Sequence, residues 1–376
     1  MVKLTQQPWK GIYALGAVGF ELLRFPYFVV AYLVASRRQN PTWSFRQAIG
    51  VRFLASALWH VATLQLQEPL PLTPGAEKER FVLVKPGKDE AYKGPLRNSK
   101  DVVPAEIGGT WYPAPLTPGS DKSNVKVILH THGGAFVHGD GRSGATGFLT
   151  SLFLKHTPAT HVFCPQYRLA KLPVSSSSDP FPAGLQDVVT SYLYLVHDLK
   201  VPAENIIVSG DSAGGNLTIS LLRYIAEFGA EAGLPSPAAG LLWSPWIDTS
   251  DNKAEYARTN RNYMSDYLSP PFTVWATEAY AGPAGESVLS QPYVCHKNSM
   301  FKTQVPIWIN TGGAEILYFD DVEWAEQMKK AGNNVELDIE DNVPHDIILL
   351  GNTLGFEKEA VGMAERVGKW IKEYWA

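Results

Sequence analysis

The stretch from Ile206 to Asn216, IIVSGDSAGGN, constrains the fold of this chain more than any other. An apolar run ends in Gly210-Asp211-Ser212-Ala213-Gly214, and apolar residues at helical spacing follow directly. This is the strand–turn–helix setting in which a Gly-x-Ser-x-Gly motif presents its serine at the carboxyl end of a strand. The alternative is a glycine-rich turn with a capping serine, because the motif alone also arises by chance. Whether Ser212 is a nucleophile depends on whether a base, an acid and an oxyanion hole are found elsewhere in the chain.

The composition is that of a globular protein with a large core. Of 376 residues, 45% are hydrophobic and 19% are charged, and the net charge is −4. The sequence has no basic block, so we expect no nucleic-acid partner. The two cysteines, Cys164 and Cys295, do not form a framework typical of a disulfide-rich secreted protein. We expect an intracellular protein, either cytoplasmic or associated with the endoplasmic reticulum or another membrane.

Two apolar segments stand near the start of the chain. Residues 11–36 are long enough to span a bilayer, but Glu21, Arg24 and Pro26 interrupt them. A second apolar stretch covers residues 51–66. Three interpretations remain open: helices that cap an active site, interfacial membrane association through residues 11–66, or a spanning anchor.

From Val125 onward, strand and helix patterns alternate. Strands are predicted at 125–130, 160–164, 205–209, 239–243, 306–311 and 335–340, and helices at 183–198, 212–228, 320–331 and 358–374. This alternation indicates an α/β fold whose mostly parallel sheet is covered by helices on both faces. Residues 68–124 predict a linker followed by antiparallel edge strands. Ligands of such sheets bind at the carboxyl ends of the strands.

A pair of glycines follows the first predicted parallel strand, in the sequence His132-Gly133-Gly134. Adjacent glycines allow backbone N–H groups to point into a cavity, as an oxyanion hole requires. We predict Gly133 and Gly134 as donors, together with Ala213, the residue after the serine. A tight β-turn is the alternative interpretation of the two glycines. We predict that His132 holds this loop through a ring hydrogen bond rather than acting as a base.

The general base is expected from the C-terminal part of the chain. Of the nine histidines, His345 is the one that follows the last predicted strand near the C-terminus. Its competitor, His296, lies in a segment without a preceding strand. We therefore predict His345 as the base.

The acid of a catalytic triad is expected between the serine and the base in chain order, at the end of another strand. Glu315 meets this condition, because it follows the strand predicted at 306–311. Its carboxylate would accept the imidazole N–H and stabilise the imidazolium. Asp320 and Asp321 remain alternatives, although acidic residues at the start of a helix also complement the helix dipole.

These motifs resemble the hormone-sensitive lipase family of α/β-hydrolases over roughly residues 107–374. The resemblance rests on HGG at 132–134, YRLA at 167–170, GDSAGGN at 210–216, SPWID at 244–248 and His345. It implies an α/β-hydrolase fold with N-terminal helices at 1–70, a catalytic domain at 71–376 and a cap insertion at about 246–300. It also implies a triad of Ser212, Glu315 and His345, with Gly133, Gly134 and Ala213 as oxyanion donors.

Two positions depart from the family pattern. Ala135 stands where the family usually has a third glycine, which is expected to narrow the pocket rather than remove a donor. Glu315 stands where the family usually has aspartate, and its side chain is one methylene longer.

The resemblance implies a serine carboxylic-ester hydrolase that acts on a small hydrophobic ester through an acyl-enzyme, without a metal or an organic cofactor. Two alternatives stay open. An alcohol could capture the acyl-enzyme and give a lactone or a transferred ester. The chain could also be a non-catalytic receptor, but receptors similar to this family have lost the catalytic histidine, and His345 is present.

Overall fold

A computed structural model describes residues 4–97, 100–175, 177–250 and 258–375. The strands are β1 (Phe81–Val84), β2 (Ile107–Tyr112), β3 (Val127–Thr131), β4 (His161–Gln166), β5 (Ile206–Asp211), β6 (Ala239–Trp243), β7 (Ile307–Gly312) and β8 (Val335–Glu340). The α-helices are α1 (Trp9–Ala31), α2 (Phe45–Thr63), α3 (Ser143–His156), α4 (Ala183–Leu193), α5 (Ser212–Ala232), α6 (Pro270–Ala281), α7 (Glu286–Leu289), α8 (Tyr318–Lys330), α9 (Ile347–Leu354) and α10 (Glu357–Ile371).

Within the described residues, the strands form one eight-stranded sheet in the order β1-β2-β4-β3-β5-β6-β7-β8. β2 pairs antiparallel with both β1 and β4, and the remaining neighbours pair in parallel. The predicted α/β class and the antiparallel edge are confirmed. The central strands β3 and β5 are buried throughout, because helices cover both faces of the sheet. The loops that follow β3, β5 and β7 therefore leave the same edge of the sheet, where the predicted site residues lie.

Two helices that flank the site edge are absent from the sequence prediction. α3 contains Gly144 and Gly147, which weaken a helical pattern. α9 has only eight residues and begins with the apolar run Ile347–Leu350, which also fits a buried strand. Both helices form through packing on each other and on α10 rather than through local propensity.

Helix α2 joins the N-terminal segment to the main fold by packing on α6 and α9. Helix α1 runs antiparallel along α2, since the Tyr13 hydroxyl contacts His60 Nδ1 at 3.0 Å and the Phe25 ring contacts that of Phe53. Glu21 and Arg24 of α1 face α2, where Glu21 contacts His60 Nε2 at 3.1 Å and Arg24 donates to Ser56 Oγ at 2.8 Å.

The outer face of α1 is apolar and exposed. None of its 23 residues is buried, and the exposed fractions of Leu15, Leu22 and Leu23 are 78%, 71% and 84%. In the part of the chain that the structure describes, α1 is the one helix long and apolar enough to cross a membrane.

Candidate active site

Ser212 lies in a strained turn between β5 and α5. Its φ of +50° places a residue with a side chain in the left-handed region, which is costly unless the surroundings enforce it. The flanking glycines permit this turn, because a Cβ at Gly210 would lie 2.2 Å from the Gly214 carbonyl oxygen. A Cβ at Gly214 would in turn lie 2.0 Å from the carbonyl oxygen of Thr131. The motif therefore brings the start of α5 directly against the end of β3.

The loop after β3 lies beside this serine. A Cβ built at Gly133 would be 3.0 Å from the Ser212 Cβ. Three successive residues of the loop have positive φ: Gly134 at +97°, Ala135 at +54° and Phe136 at +64°. His132 holds the loop as predicted, because its Nδ1 contacts the Gly133 carbonyl oxygen at 2.7 Å.

The backbone N–H of Gly133 is already engaged in this loop. It donates to Asp211 Oδ2 at 2.8 Å, because the buried carboxylate that precedes the serine requires donors. The prediction of Gly133 as an oxyanion donor is therefore corrected: its N–H is not free to bind a reacting oxygen. Among the described residues, no acceptor contacts the N–H of Gly134 or Ala135. Ala213 occupies the first turn of α5, where backbone N–H groups have no partner within the helix.

His345 and Glu315 meet at the carboxyl ends of β7 and β8. His345 Nδ1 lies 2.9 Å from Glu315 Oε2. The other carboxylate oxygen, Oε1, accepts hydrogen bonds from the Gly312 N–H at 3.1 Å and from the Thr311 hydroxyl. Both side chains are buried. This pairing fixes the orientation of the imidazole and leaves its Nε2 for other contacts.

The pKa values of the pair reflect this contact. Burial would lower the pKa of His345, but its hydrogen bond with Glu315 and the nearby negative charges raise it above the usual value. Burial would raise the pKa of Glu315, but the hydrogen bond with His345 lowers it. An ionised glutamate beside a histidine that readily accepts a proton is the arrangement that general-base chemistry requires.

Ser212, His345 and the loop after β3 line one cavity of about 560 Å³. One part of its wall is charged and contains Glu68, Glu77, Asp140 and Arg142. The apolar part comes from α2, α6, α9 and the segment before α6: Leu54, Leu58, Tyr267, Leu268, Phe272, Leu349 and Leu350. Helix α2 therefore covers the site. This supports the capping interpretation for the second apolar segment of the N-terminus.

The sequence profile of the family described as the α/β-hydrolase fold matches residues 128–349. The chain belongs to this family. An acetyl-hydrolase of Streptomyces hygroscopicus is 28% identical over 216 residues, 57% of this chain and 65% of that protein, so the chain spans just under two thirds of its length. The esterase LipU of Mycobacterium tuberculosis is 27% identical over 252 residues, 66% of this chain and 78% of that protein.

Solved structures agree with this assignment. A crystal structure of a hormone-sensitive lipase from a metagenome library has 27% identity and a TM-score of 0.56, and covers 72% of this chain and 82% of its own. The crystal structure of EstE5 soaked with p-nitrophenyl butyrate covers 93% of this chain and 98% of its own, with a TM-score of 0.59. Its identity of 21% shows the shared fold alone. The predicted resemblance to the hormone-sensitive lipase family of α/β-hydrolases is confirmed.

The alternative acids of this α/β-hydrolase lie elsewhere in the structure. Asp320 pairs with Lys297 at 3.1 Å. The Asp321 carboxyl contacts the Thr311 hydroxyl at 2.8 Å, and burial together with Glu315 raises its pKa well above the usual value. Neither residue takes the place of Glu315 at His345 Nδ1.

The competing base, His296, lies in the segment between β6 and β7 of this α/β-hydrolase. Its Nε2 contacts the Asn216 carbonyl oxygen at 3.0 Å, and burial lowers its pKa to about 3. This histidine therefore stays neutral and ties the segment after β6 to α5.

Asp266 is a buried carboxylate of the α/β-hydrolase site that sequence reasoning missed. It accepts from the backbone N–H of Ile316 and Tyr267, each at 2.7 Å, and from that of His345 at 3.4 Å. It thus joins the segment before α6 to the loops of Glu315 and His345. Burial raises its pKa to about 6. No motif surrounds this residue in the sequence, so only the folded structure reveals it.

Proposed function

We propose that this α/β-hydrolase is a serine carboxylic-ester hydrolase with Ser212 as nucleophile, His345 as base and Glu315 as acid. The observation that carries the proposal is the hydrogen bond between His345 Nδ1 and Glu315, in a cavity that Ser212 also lines. The esterases among its relatives support the same chemistry.

In this mechanism the Ser212 hydroxyl attacks the ester carbonyl carbon while His345 Nε2 takes the hydroxyl proton. The carbonyl oxygen becomes an oxyanion, and the N–H groups of Gly134, Ala135 and Ala213 donate to it. Each such donor stabilises the transition state by about 3 kcal/mol. His345 returns the proton to the leaving alcohol, and a water activated by the same imidazole then hydrolyses the acyl-enzyme.

The cavity walls favour a small hydrophobic ester as the substrate. Leucine side chains from α2 and α9 and the Phe272 ring line a space of about 560 Å³, enough for a short or medium acyl chain. The test is hydrolysis of p-nitrophenyl acetate, butyrate, octanoate and palmitate by the full chain. We expect kcat/KM to be highest for butyrate or octanoate. Absence of hydrolysis across the whole series would reject the proposed activity.

The pH profile should report the ionisation of His345. The imidazole must be neutral to accept a proton, and its pKa lies above the usual 6.5. We therefore expect kcat/KM to fall as the pH decreases through a value above 6.5. Asp266 contributes negative charge that raises this pKa, so Asp266→Asn should shift the acidic limb to lower pH. Rate profiles between pH 5 and 9 measure the shift.

The surface carboxylate Asp121 supplies a matched control for this pH experiment. Asp121 is exposed, accepts from the backbone N–H of Ser123 and does not line the cavity of Ser212. Asp121→Asn should leave the acidic limb in place. An unmoved limb in Asp266→Asn, or a shift toward higher pH, would contradict the assigned electrostatics.

We also propose that α1 holds the protein on a lipid surface. The side chains of Glu21 and Arg24 in the middle of α1 contact α2, whereas the outer face of α1 is apolar, the reverse of the usual arrangement in water. At 1.5 Å per residue the helix is about 34 Å long, so its apolar face offers a large contact area. Because α1 packs along α2, we favour interfacial association over a spanning anchor.

Vesicle co-sedimentation tests this association. The full chain should sediment with phosphatidylcholine vesicles, and the triple variant Leu15→Ser, Leu22→Ser and Leu23→Ser should remain mostly in the supernatant. The variant should retain its hydrolysis of soluble esters, because these side chains do not line the cavity. Leu72→Ser, at an exposed leucine outside α1, is the control. Equal sedimentation of the triple variant and the full chain would contradict the proposal.

A further inference from the structure

A second cavity of about 310 Å³ lies between α1, α2 and residues 263–269. It is separate from the cavity of Ser212, but Tyr267 and Leu268 line both and so form a shared wall. The second cavity therefore borders the reaction site on one side and the exposed helix α1 on the other.

Two arginines line this second cavity. The guanidinium carbons of Arg24 and Arg52 lie 5.6 and 4.9 Å from the centre of the Phe28 ring. Arg24 is neutralised, because it donates to Glu21 Oε1 at 2.6 Å. Among the described residues, no carboxylate forms an ion pair with Arg52, whose polar contact is the Tyr32 hydroxyl. Arg52 therefore brings a positive charge without an ion-pair partner to a cavity that Glu21 and Asp266 also line.

Donor groups without a partner converge on the same space. The Nε atoms of Arg24 and Arg52 and the hydroxyl of Ser269 are buried and contact no acceptor among the described residues. The other carboxylate at the cavity, Asp266, already accepts from the backbone N–H groups of Ile316 and Tyr267. Two buried acceptors at the cavity, Glu21 Oε2 and Gln39 Oε1, also have no donor among the described residues. Buried polar groups are rarely left unsatisfied, and the donors, two of which belong to arginines, suit an acceptor with negative charge.

The remaining lining narrows the chemical class of this acceptor. Phe20, Val51, Trp59 and Leu268 offer apolar surface to a hydrocarbon chain. An arginine fork matches the planar or tetrahedral oxygens of a carboxylate or phosphate. We propose that this cavity binds the oxyanion group of an acyl-chain amphiphile through Arg52, with Arg24 and Ser269 as additional donors.

Two sources could supply this chemistry at the position of the cavity. Hydrolysis of a hydrophobic ester releases a carboxylic acid next to the shared wall, and a lipid surface against α1 presents phosphate headgroups. In the first case the cavity retains the carboxylic acid that the proposed hydrolysis releases, so this case rests on the proposed function. Binding itself does not require Ser212 to react, so it is measured in Ser212→Ala.

The structural alternative is that the arginines only attach α1 to α2. The contact of Arg24 with Ser56 on α2 serves that purpose, and it remains when Arg52 is replaced. Arg52→Gln therefore separates binding from helix attachment. Arg46, six residues earlier on α2, is exposed and outside the cavity, so Arg46→Gln is the matched control.

Isothermal titration of Ser212→Ala with decanoate, decyl phosphate and the neutral decanol tests the site. We expect the anions to bind at least about tenfold more tightly than decanol, with Arg52→Gln removing this preference and Arg46→Gln preserving it. Inorganic phosphate alone should bind weakly, because it leaves the apolar lining unfilled. Tighter binding of decanoate would identify the product acid as the source, and tighter binding of decyl phosphate a headgroup. If decanoate bound equally tightly to Ser212→Ala with and without the change Arg52→Gln, the proposal would be overturned.

Photo-crosslinking keeps the proposal testable should Arg52→Gln fail to fold. Ser212→Ala is irradiated with a decanoate analogue that carries a diazirine on its chain. Crosslinks should map to residues 51–60 and 263–269 and diminish in Arg52→Lys, which keeps the charge but loses the planar fork. Crosslinks confined to α9 and the loop after β3 would place the ligand in the catalytic cavity alone and overturn the proposal.

Discussion

Replacing Ser212 with alanine lowers kcat for p-nitrophenyl butyrate by at least about 10⁴-fold and leaves KM nearly unchanged. The reason is chemical, because the hydroxyl forms the bond to the acyl group and alanine has no nucleophile to take its place. The cavity walls remain, so the substrate still binds. Initial rates with purified full-length protein, together with its thermal unfolding temperature, measure the effect.

Ser151→Ala is the control for this first variant. Ser151 is exposed on α3, and its hydroxyl donates within its own helix to the Phe148 carbonyl oxygen. We expect wild-type rates for it. Retention of more than a few per cent of activity by Ser212→Ala would mean that another group is the nucleophile.

Replacing Glu315 with glutamine lowers kcat by about 10³- to 10⁴-fold. Glutamine has nearly the same shape but no charge, so it no longer stabilises the imidazolium that forms at His345. It can also present an amide N–H to His345 Nδ1 and thereby favour the wrong tautomer. Single-turnover rates at a pH above the acidic limb separate this loss from a change in substrate binding.

Two further variants define the role of Glu315. Aspartate at this position keeps the charge but is one methylene shorter. The variant Glu315→Asp should therefore retain more activity than Glu315→Gln. Asp321→Asn should lower kcat by less than about tenfold. The reason is that this neutral, buried carboxyl contacts Thr311 rather than the histidine. If Asp321→Asn were the more damaging change, the acid would have to be reassigned.

The nucleophile turn and the parallel sheet could be predicted from the sequence, because both depend on short-range signals. The spacing of Gly210, Ser212 and Gly214 marks the turn within five residues, and the alternation of apolar strands with helices sets the layer arrangement. The order of Ser212, Glu315 and His345 along the chain then placed each at the end of a different strand, as the structure has them.

The hydrogen-bond partners within the site could not be predicted in the same way. Gly133 was assigned a free N–H, but Asp211 reaches it across the turn from 78 residues away in the chain. Asp266, in the segment before α6, joins the loops of Glu315 and His345, and no sequence pattern marks that approach. Such partners depend on how loops from separate strands pack, which local propensity does not encode.

The N-terminal helices, too, could be predicted from the sequence only in part. Their length and apolarity are evident in the sequence, but three interpretations fit those properties equally well. The structure assigns Leu54 and Leu58 of α2 to the wall of the cavity and leaves α1 outside the core. The two segments thus differ in role, because only the packing shows which apolar face is already covered.

Mass spectrometry after incubation with an alkyl fluorophosphonate tests the central claim, that Ser212 is an activated nucleophile, most directly. Fluorophosphonates react with a serine whose proton is removed by a neighbouring base, and they do not require the natural ester. We expect a single adduct on the peptide that contains Ser212. The adduct should be absent from Ser212→Ala and should form much more slowly in His345→Ala. An unmodified wild-type protein, or an adduct that persists in Ser212→Ala, would contradict it.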